Sequence, residues 1–424
     1  MTMKHTLSLL LTTCLFAASA AAQTVIVKDA KVVTNASAGT VEQATVVITD
    51  GRVTQIGSEV TAPEGAQIID GAGQWVTPGL FAPFAQVGLV EIGAESDTND
   101  TRASKGHTSV SDLAADSFNP QSPVIGITRA EGITHAAIVA SPSHNIFGGT
   151  GSIINMTGGF DSIIDDTAFV FVQLGERGAS LAGGSRSAAL AQLRAGLDDA
   201  LRYSTRYAGG PDNGDTLSRR DASALTRAAR GQMPIVIAAD RAVDILKIID
   251  LKQDYGGLDI IVLGAAEGWM VASQIAESYL KVMIDPHDNL PSSFDNVAAR
   301  LDNAVLLKAA GAEIAFMSRT TDFSHNVRLL PQHAGNAVGN GLDWDTAFRA
   351  ISVTPASWFD VNAGTIEIGA QANLVVWDGD PLEVTSSPEF IMIGGQVQSG
   401  ESRQSQLRDR YNPTTGETKP HKYR

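Results

Sequence analysis

Thiol chemistry is almost absent from this chain. It holds one cysteine in 424 residues, Cys14, and that one lies inside an N-terminal apolar run. Intrachain disulfides, thiol catalysis once that run is removed, and cysteine-ligated zinc are excluded. Basic charge is also scarce. Lys and Arg number 31 against 46 Asp and Glu, a formal net charge of −15 with the excess spread along the chain. A nucleic-acid partner or an anionic membrane surface calls for the opposite sign. After the N terminus no segment approaches the about 18 uninterrupted apolar residues of a bilayer span. Paired histidines are missing too. The eight histidines, at 5, 107, 135, 144, 287, 325, 333 and 421, never stand i,i+2 or i,i+4, the spacings that bring two imidazoles onto one strand or helix face. Neither a phosphate loop nor a Gly-x-Ser-x-Gly elbow occurs; Gly183-Gly184-Ser185-Arg186-Ser187 lacks the final glycine.

What is present describes a folded, exported protein. Hydrophobic residues make up 43% and charged residues 18%, the balance of a globular chain, and the length accommodates one large domain and a smaller one. Lys4 and His5, the apolar stretch Leu7 to Ala18 and the small residues Ala20-Ala21-Ala22 read as an export signal over residues 1–22. The surroundings of Cys14, with Thr13 before it and Leu15-Phe16 after, fit a lipoprotein poorly. The expected location is periplasmic or otherwise exported.

Three regions follow. Residues 23–77 alternate β-type runs with turns, including Thr24-Val25-Ile26-Val27, Ala44 to Ile48, a turn at Asp50-Gly51, and Val53 to Ile56. The pattern returns over 361–400, in Asn373-Leu374-Val375-Val376-Trp377 and Phe390-Ile391-Met392-Ile393. Two β-rich ends around a different middle predict one small β-sandwich built from both termini. Residues 78–360 alternate instead. Short apolar runs near 80–90, 133–140, 151–156, 168–174, 234–239, 259–264, 280–285 and 313–318 are interspersed with helical patterns such as Ser187–Tyr207, Ala242–Tyr255 and Trp269–Tyr279. That alternation predicts an α/β fold, a (β/α)8 TIM-like barrel, with the run at 151–156 open to reading as half of a hairpin. A doubly wound sheet is the alternative, but no glycine fingerprint follows the first strand. Residues 401–424 read as a polar, locally basic, solvated tail.

The joints between these regions carry a resemblance. Ile69-Asp70-Gly71, then Val76-Thr77-Pro78-Gly79-Leu80-Phe81, and late in the chain Thr354-Pro355-Ala356, Gly364-Thr365-Ile366 and Ala372 to Leu382 resemble the amidohydrolase superfamily, nearest to its imidazolonepropionase-like, periplasmic branch. The resemblance implies a (β/α)8 barrel, a composite β-sandwich, and hydrolysis of a non-peptide C–N bond by zinc-activated water. It also implies ligands that this chain lacks. Where active members carry Asp-x-His-x-His after the first strand, this chain reads Ala82-Pro83-Phe84-Ala85-Gln86. Ala238 stands where the fifth strand should end in histidine, Gly264 where the sixth should, and no Asp closes the eighth strand. The expected metal is therefore none, and no other cofactor is implied.

Candidate chemistry then moves to loops. His107, His144, His287 and His325 fall after strands, on the face where barrel enzymes keep their sites. Asp322 and His325 are the candidate catalytic pair, and Gln86, Asn289, His325, Asn326 and Arg328 the candidate ligand-binding residues. The same Asn, Ser and Asp residues also suit helix caps. Glu91, Glu95, Asp97 and Asp100 read as a solvated acidic loop, and Gly148-Gly149-Thr150-Gly151 as a tight turn, or as a lid or hairpin beside the barrel mouth. Trp269 and Met270 read as helix packing. Two functions stay open: a hydrolase of non-peptide C–N bonds working without the usual metal, and a catalytically silent relative. The silent relative would bind a small molecule or support an active paralogous amidohydrolase as a subunit; a homo-oligomer is a further expected partnership.

Overall fold

The computed structural model describes residues 24–412 except 59, 61, 62, 64, 104, 107, 108, 207–215, 320 and 321. The export signal, Cys14 and His107 lie outside the described residues. Two eight-stranded sheets organise the rest.

The first sheet joins the two ends of the chain. Its N-terminal strands are β1 (Thr24–Val33), β2 (Thr40–Thr49), β3 (Arg52–Gly57), β4 (Gln67–Asp70) and β5 (Trp75–Pro78). Alternating β-branched residues put Val25, Val27, Val46 and Ile48 into a shared core with Val76, Leu374, Val376 and Met392. At the β2–β3 hairpin Asp50 and Gly51 both take positive φ, 50° and 75°, the two-residue turn whose twist matches the strands. The junction of the two ends is β5. It pairs in parallel with β1 and antiparallel with a late strand, Val76 opposite Val376.

The second sheet is the barrel: β6 (Leu80–Ala85), β7 (Ile133–Ile138), β8 (Phe147–Asn155), β9 (Ile163–Gln173), β10 (Ile235–Ala239), β11 (Ile260–Gly264), β12 (Lys281–Ile284) and β13 (Ile314–Phe316). The chain then returns to the first sheet with β14 (Leu374–Trp377), β15 (Pro388–Ile393) and β16 (Gln396–Gln398). Every expected barrel strand is present, but one runs the other way. The strand β8 is antiparallel to both β7 and β9, so hairpins replace two βα crossovers there. Between β13 and β6 the ring is bridged by backbone from another segment: Phe316 N donates to Ala350 O at 2.9 Å and Phe81 N to Ile351 O at 2.8 Å.

The helices differ from the sequence expectation mainly at their starts. Ala242–Tyr255 is one helix as expected. Trp269 to Tyr279 resolves into the 3-10 turn Gly268–Val271 and the helix Ala272–Glu277. The tail after residue 400 carries a helix, Arg403–Tyr411, that buries no residue, and its capping box (Ser402 with Ser405) explains why polar sequence is helical there.

Candidate functional site

The open ends of the barrel strands define the mouth. There β6 presents Phe84 to the interior, where its ring meets Phe171 of β9 and Phe323, in the segment after β13, each edge-on at a centroid distance of 5.0 Å. Ala238, Leu263, Met283 and Met317 complete the same apolar cluster. The glycine-rich stretch expected as a tight turn, a lid or a hairpin lies in the first half of β8, the strand that forms hairpins with β7 and β9. A Cβ on Gly148 would lie 2.3 Å from the Phe171 ring, and one on Gly151 2.2 Å from Phe169. These glycines make room for aromatic rings in the barrel, and no loop is formed there.

Above this plug the mouth carries an ionic clasp. Asp240 follows β10, Asp285 follows β12 and Arg319 lies three residues past β13. Arg319 Nη1 donates to both oxygens of Asp240, at 2.8 and 3.0 Å, and Nη2 to Asp288 Oδ2 at 3.0 Å. Its backbone N–H donates to Asp285 Oδ2 at 2.9 Å. The other oxygen of Asp285 accepts from the His287 backbone at 3.0 Å and meets His333 Nδ1 at 2.9 Å. Burial pushes the Asp240 carboxyl above its ordinary range, with Arg319 pulling against that shift. Arg319 loses something to burial, but Asp240, Asp288 and Asp285 together raise its pKa.

The absence of a side chain at 264 now has a physical reason. Gly264 has φ +109°, and a Cβ there would sit 2.4 Å from Asp240 Oδ1 and 2.6 Å from Arg319 Nη1. The clasp crosses directly over the end of β11, so only glycine fits.

These residues do not suit a metal. Phe84 offers carbon, Ala238 and Gly264 offer no donor, and Gln86, whose Nε2 donates to Ser141 Oγ at 2.9 Å and Thr101 O at 3.4 Å, offers a single neutral amide oxygen, a weak ligand for zinc. Ser318 Oγ donates to Asn326 O at 3.2 Å. Among the described residues no three His, Cys, Asp or Glu side chains converge in a way that would hold a metal ion.

The sequence candidates are scattered by the fold. His325 Nδ1 lies 3.6 Å from Asp322 Oδ2, so the pair is adjacent. Between them, however, the Ser324 hydroxyl donates to Asp322 Oδ1 at 2.6 Å, and its backbone N–H does so at 2.7 Å, an Asx turn that leads into the 3-10 turn His325–Leu329. The imidazole thus faces a hydroxyl whose proton is already given away. Arg328 stands in the field of Glu131, whose carboxyl burial raises and Arg328 lowers; Glu131 lies just before β7. Asn289 is exposed, as are His144 and His287, and the His287 ring lies 5.6 Å from that of His333. Trp269 packs as expected, its Nε1 donating to Ala298 O at 3.0 Å and Arg300 covering its ring at 4.7 Å, whereas Met270 beside it is exposed. Asp240, Asp285, Arg319 and His333 escaped the sequence reading. One signal was available, since Asp240 and Asp285 are each the first charged residue after a buried strand.

Beside the clasp, between the ends of β9 and β10, lies a cavity of about 370 Å³. Gln173, Glu176, Arg177, Asp240, Ser293 and Asp295 line it. Asp295 is held by the Glu176 backbone N–H and by Arg186, both at 2.5 Å. Arg177 donates to Pro142 O at 3.1 Å and has no carboxylate partner among the described residues. Burial, and then the like charge of Arg102, lowers its pKa.

A barrel with polar groups at its strand ends and a second sheet built from both chain termini is the architecture expected from the sequence for an amidohydrolase-like α/β barrel. Comparison with known proteins agrees. Residues 235–400 match the amidohydrolase family. The amidohydrolase tasK of Hapsidospora irregularis is 22% identical over 391 residues, which is 83% of this chain but 39% of the relative's length. An amidohydrolase structure from Thermotoga maritima superposes with a TM-score of 0.77 at 23% identity, over 88% of this chain and 99% of the other. Phenylurea hydrolase B does so with a TM-score of 0.54 at 14% identity, over 89% and 97%. Over residues 235–400 the chain is thus similar to the amidohydrolase family, and its fold is that of the amidohydrolase structure from Thermotoga maritima.

Proposed function

We propose that this chain is a catalytically silent amidohydrolase relative that works without a barrel metal and binds a small carboxylate- or amide-bearing molecule at the mouth. The observation that supports it is the plug of Phe84, Phe171 and Phe323 beneath the Arg319 clasp. Activated water needs oxygen or nitrogen donors at the strand ends, and those positions are filled by hydrocarbon and by mutually neutralised charges. The ligand occupies the cavity between β9 and β10, where Arg177 pairs with its carboxylate or amide carbonyl and Glu176 meets its N–H. The export signal read over residues 1–22 supports work outside the cytoplasm.

The second reading is a hydrolase of non-peptide C–N bonds, favoured by the amidohydrolase family match over 235–400. Asp322 and His325 would then be its acid–base pair. One set of measurements separates the two. Protein purified from its native compartment should carry less than about one tenth of an equivalent of Zn, Fe or Mn and turn over neither cyclic amides nor N-acyl amino acids. N-acyl amino acids should still raise its melting temperature, and Arg177→Gln should weaken that effect. Stoichiometric metal that survives dialysis, together with amide turnover, overturns the silent reading.

A further inference from the structure

The reversed strand has a consequence on the outside of the barrel. Where β7, β8 and β9 are joined by hairpins, no crossover helix arises to cover them. A cavity of about 690 Å³ lies there, against Thr150 of β8, Thr167 of β9 and the helix Arg219–Ala229. Its size is that of a small-molecule site.

The helix turns two faces to its surroundings. Ala222, Leu225 and Ala228 are buried in the barrel's outer layer. Arg219, Ser223 and Arg227, spaced i, i+4, i+8, face the cavity, joined by Arg220 one residue round. Three guanidinium groups therefore line one hollow in a chain whose formal net charge is −15. No acidic residue is among the described residues lining it. Asp221, on the same helix, is spent on the Ser111 backbone N–H at 3.0 Å and the Ser218 hydroxyl at 2.6 Å. Among the described residues Arg227 bonds to Thr167, at 3.3 and 3.4 Å. Tyr203 also lines the cavity. Leu113, Ala224 and Met233 supply an apolar floor.

We propose that this outer-wall cavity binds a small molecule carrying a phosphate or carboxylate on an apolar body, the anion held by Arg219, Arg220 and Arg227 and the body by Leu113 and Met233. Guanidinium forks suit both oxyanions bidentately, and the like charges gathered on one helix face repel one another until an anion arrives. The site lies on the barrel's outer wall and is independent of ligand binding at the mouth.

Isothermal titration calorimetry of the full chain with phenyl phosphate, benzoate and benzyl alcohol tests this. In the Arg177→Gln background, which removes the carboxylate contact proposed at the mouth, saturable one-to-one binding of an anion is expected, with none of the neutral alcohol; the tighter of the two anions assigns the headgroup. Arg219→Gln/Arg227→Gln should raise Kd at least about tenfold, the loss expected for a charge-assisted contact. Gln keeps helix propensity, and Arg220→Gln alone provides a milder variant should the double one not fold. The proposal is overturned if neither anion saturates, if the alcohol binds equally well, or if the arginine variants bind as tightly as the parent.

Discussion

Replacing Arg319 by Met should destabilise the protein by leaving two carboxylates without their cation. The side chains of Arg319, Asp240 and Asp288 are 22%, 17% and 10% exposed, so the group is mostly withdrawn from water. Breaking a buried ion pair from one side costs about 3–5 kcal/mol, and the residual exposure of Arg319 places this case near the lower end, about 3 kcal/mol. The loss should depend on pH in a defined direction. Burial already holds the Asp240 carboxyl above its ordinary 3.8, and Arg319 is the largest opposing influence. Without Arg319 that pKa rises further. A carboxyl whose folded pKa is raised contributes stability that is full below its unfolded pKa and lost as pH rises through its folded one. The deficit of Arg319→Met should therefore be greatest at neutral pH and shrink as pH falls toward about 4. Urea denaturation followed by far-UV circular dichroism at both pH values measures it. Asp240→Asn combined with Arg319→Met should recover part of the loss, since no orphan charge remains at 240. An unchanged urea midpoint at neutral pH, or a deficit that grows on acidification, refutes the reasoning.

Gly264→Ala should cost about 1–3 kcal/mol through its positive φ, with a further loss from the clash with the clasp. That second part should vanish in the Arg319→Met background, and equal losses in both backgrounds would show that the clasp is not what the Cβ meets. A chain ending at residue 363 removes β14, β15 and β16 and leaves β5 unpaired on one side, so it should lose cooperative unfolding. A chain ending at residue 400 should melt like the parent, because the helix Arg403–Tyr411 buries nothing. Equal melting of the 23–363 chain would show that the shared sheet contributes no stability.

Much of the architecture lies in local pattern. Alternating β-branched runs at both ends, the Asp50-Gly51 turn and eight apolar runs in the middle mark both sheets, because strand periodicity and turn chemistry are properties of neighbouring residues. The same local reading could recognise that Phe84, Ala238 and Gly264 carry no metal donor. It could not tell which way β8 runs. Direction is set by which edges it pairs with, and a run of glycine, threonine and isoleucine suits either sense. Loop histidines drew attention because their chemistry is visible in isolation, yet Asp322, Ser324 and His325 make a turn. The clasp is the opposite case. Asp240, Asp288 and Arg319 are unremarkable as single charged residues, and 79 positions separate the bonded pair Asp240 and Arg319. Only closure of the barrel brings their strand ends together over Gly264, and desolvation there turns ordinary surface residue types into one ionic group. The strands were written in the sequence; the company their ends keep was decided by the tertiary structure, because contact between distant residues depends on how the sheet closes.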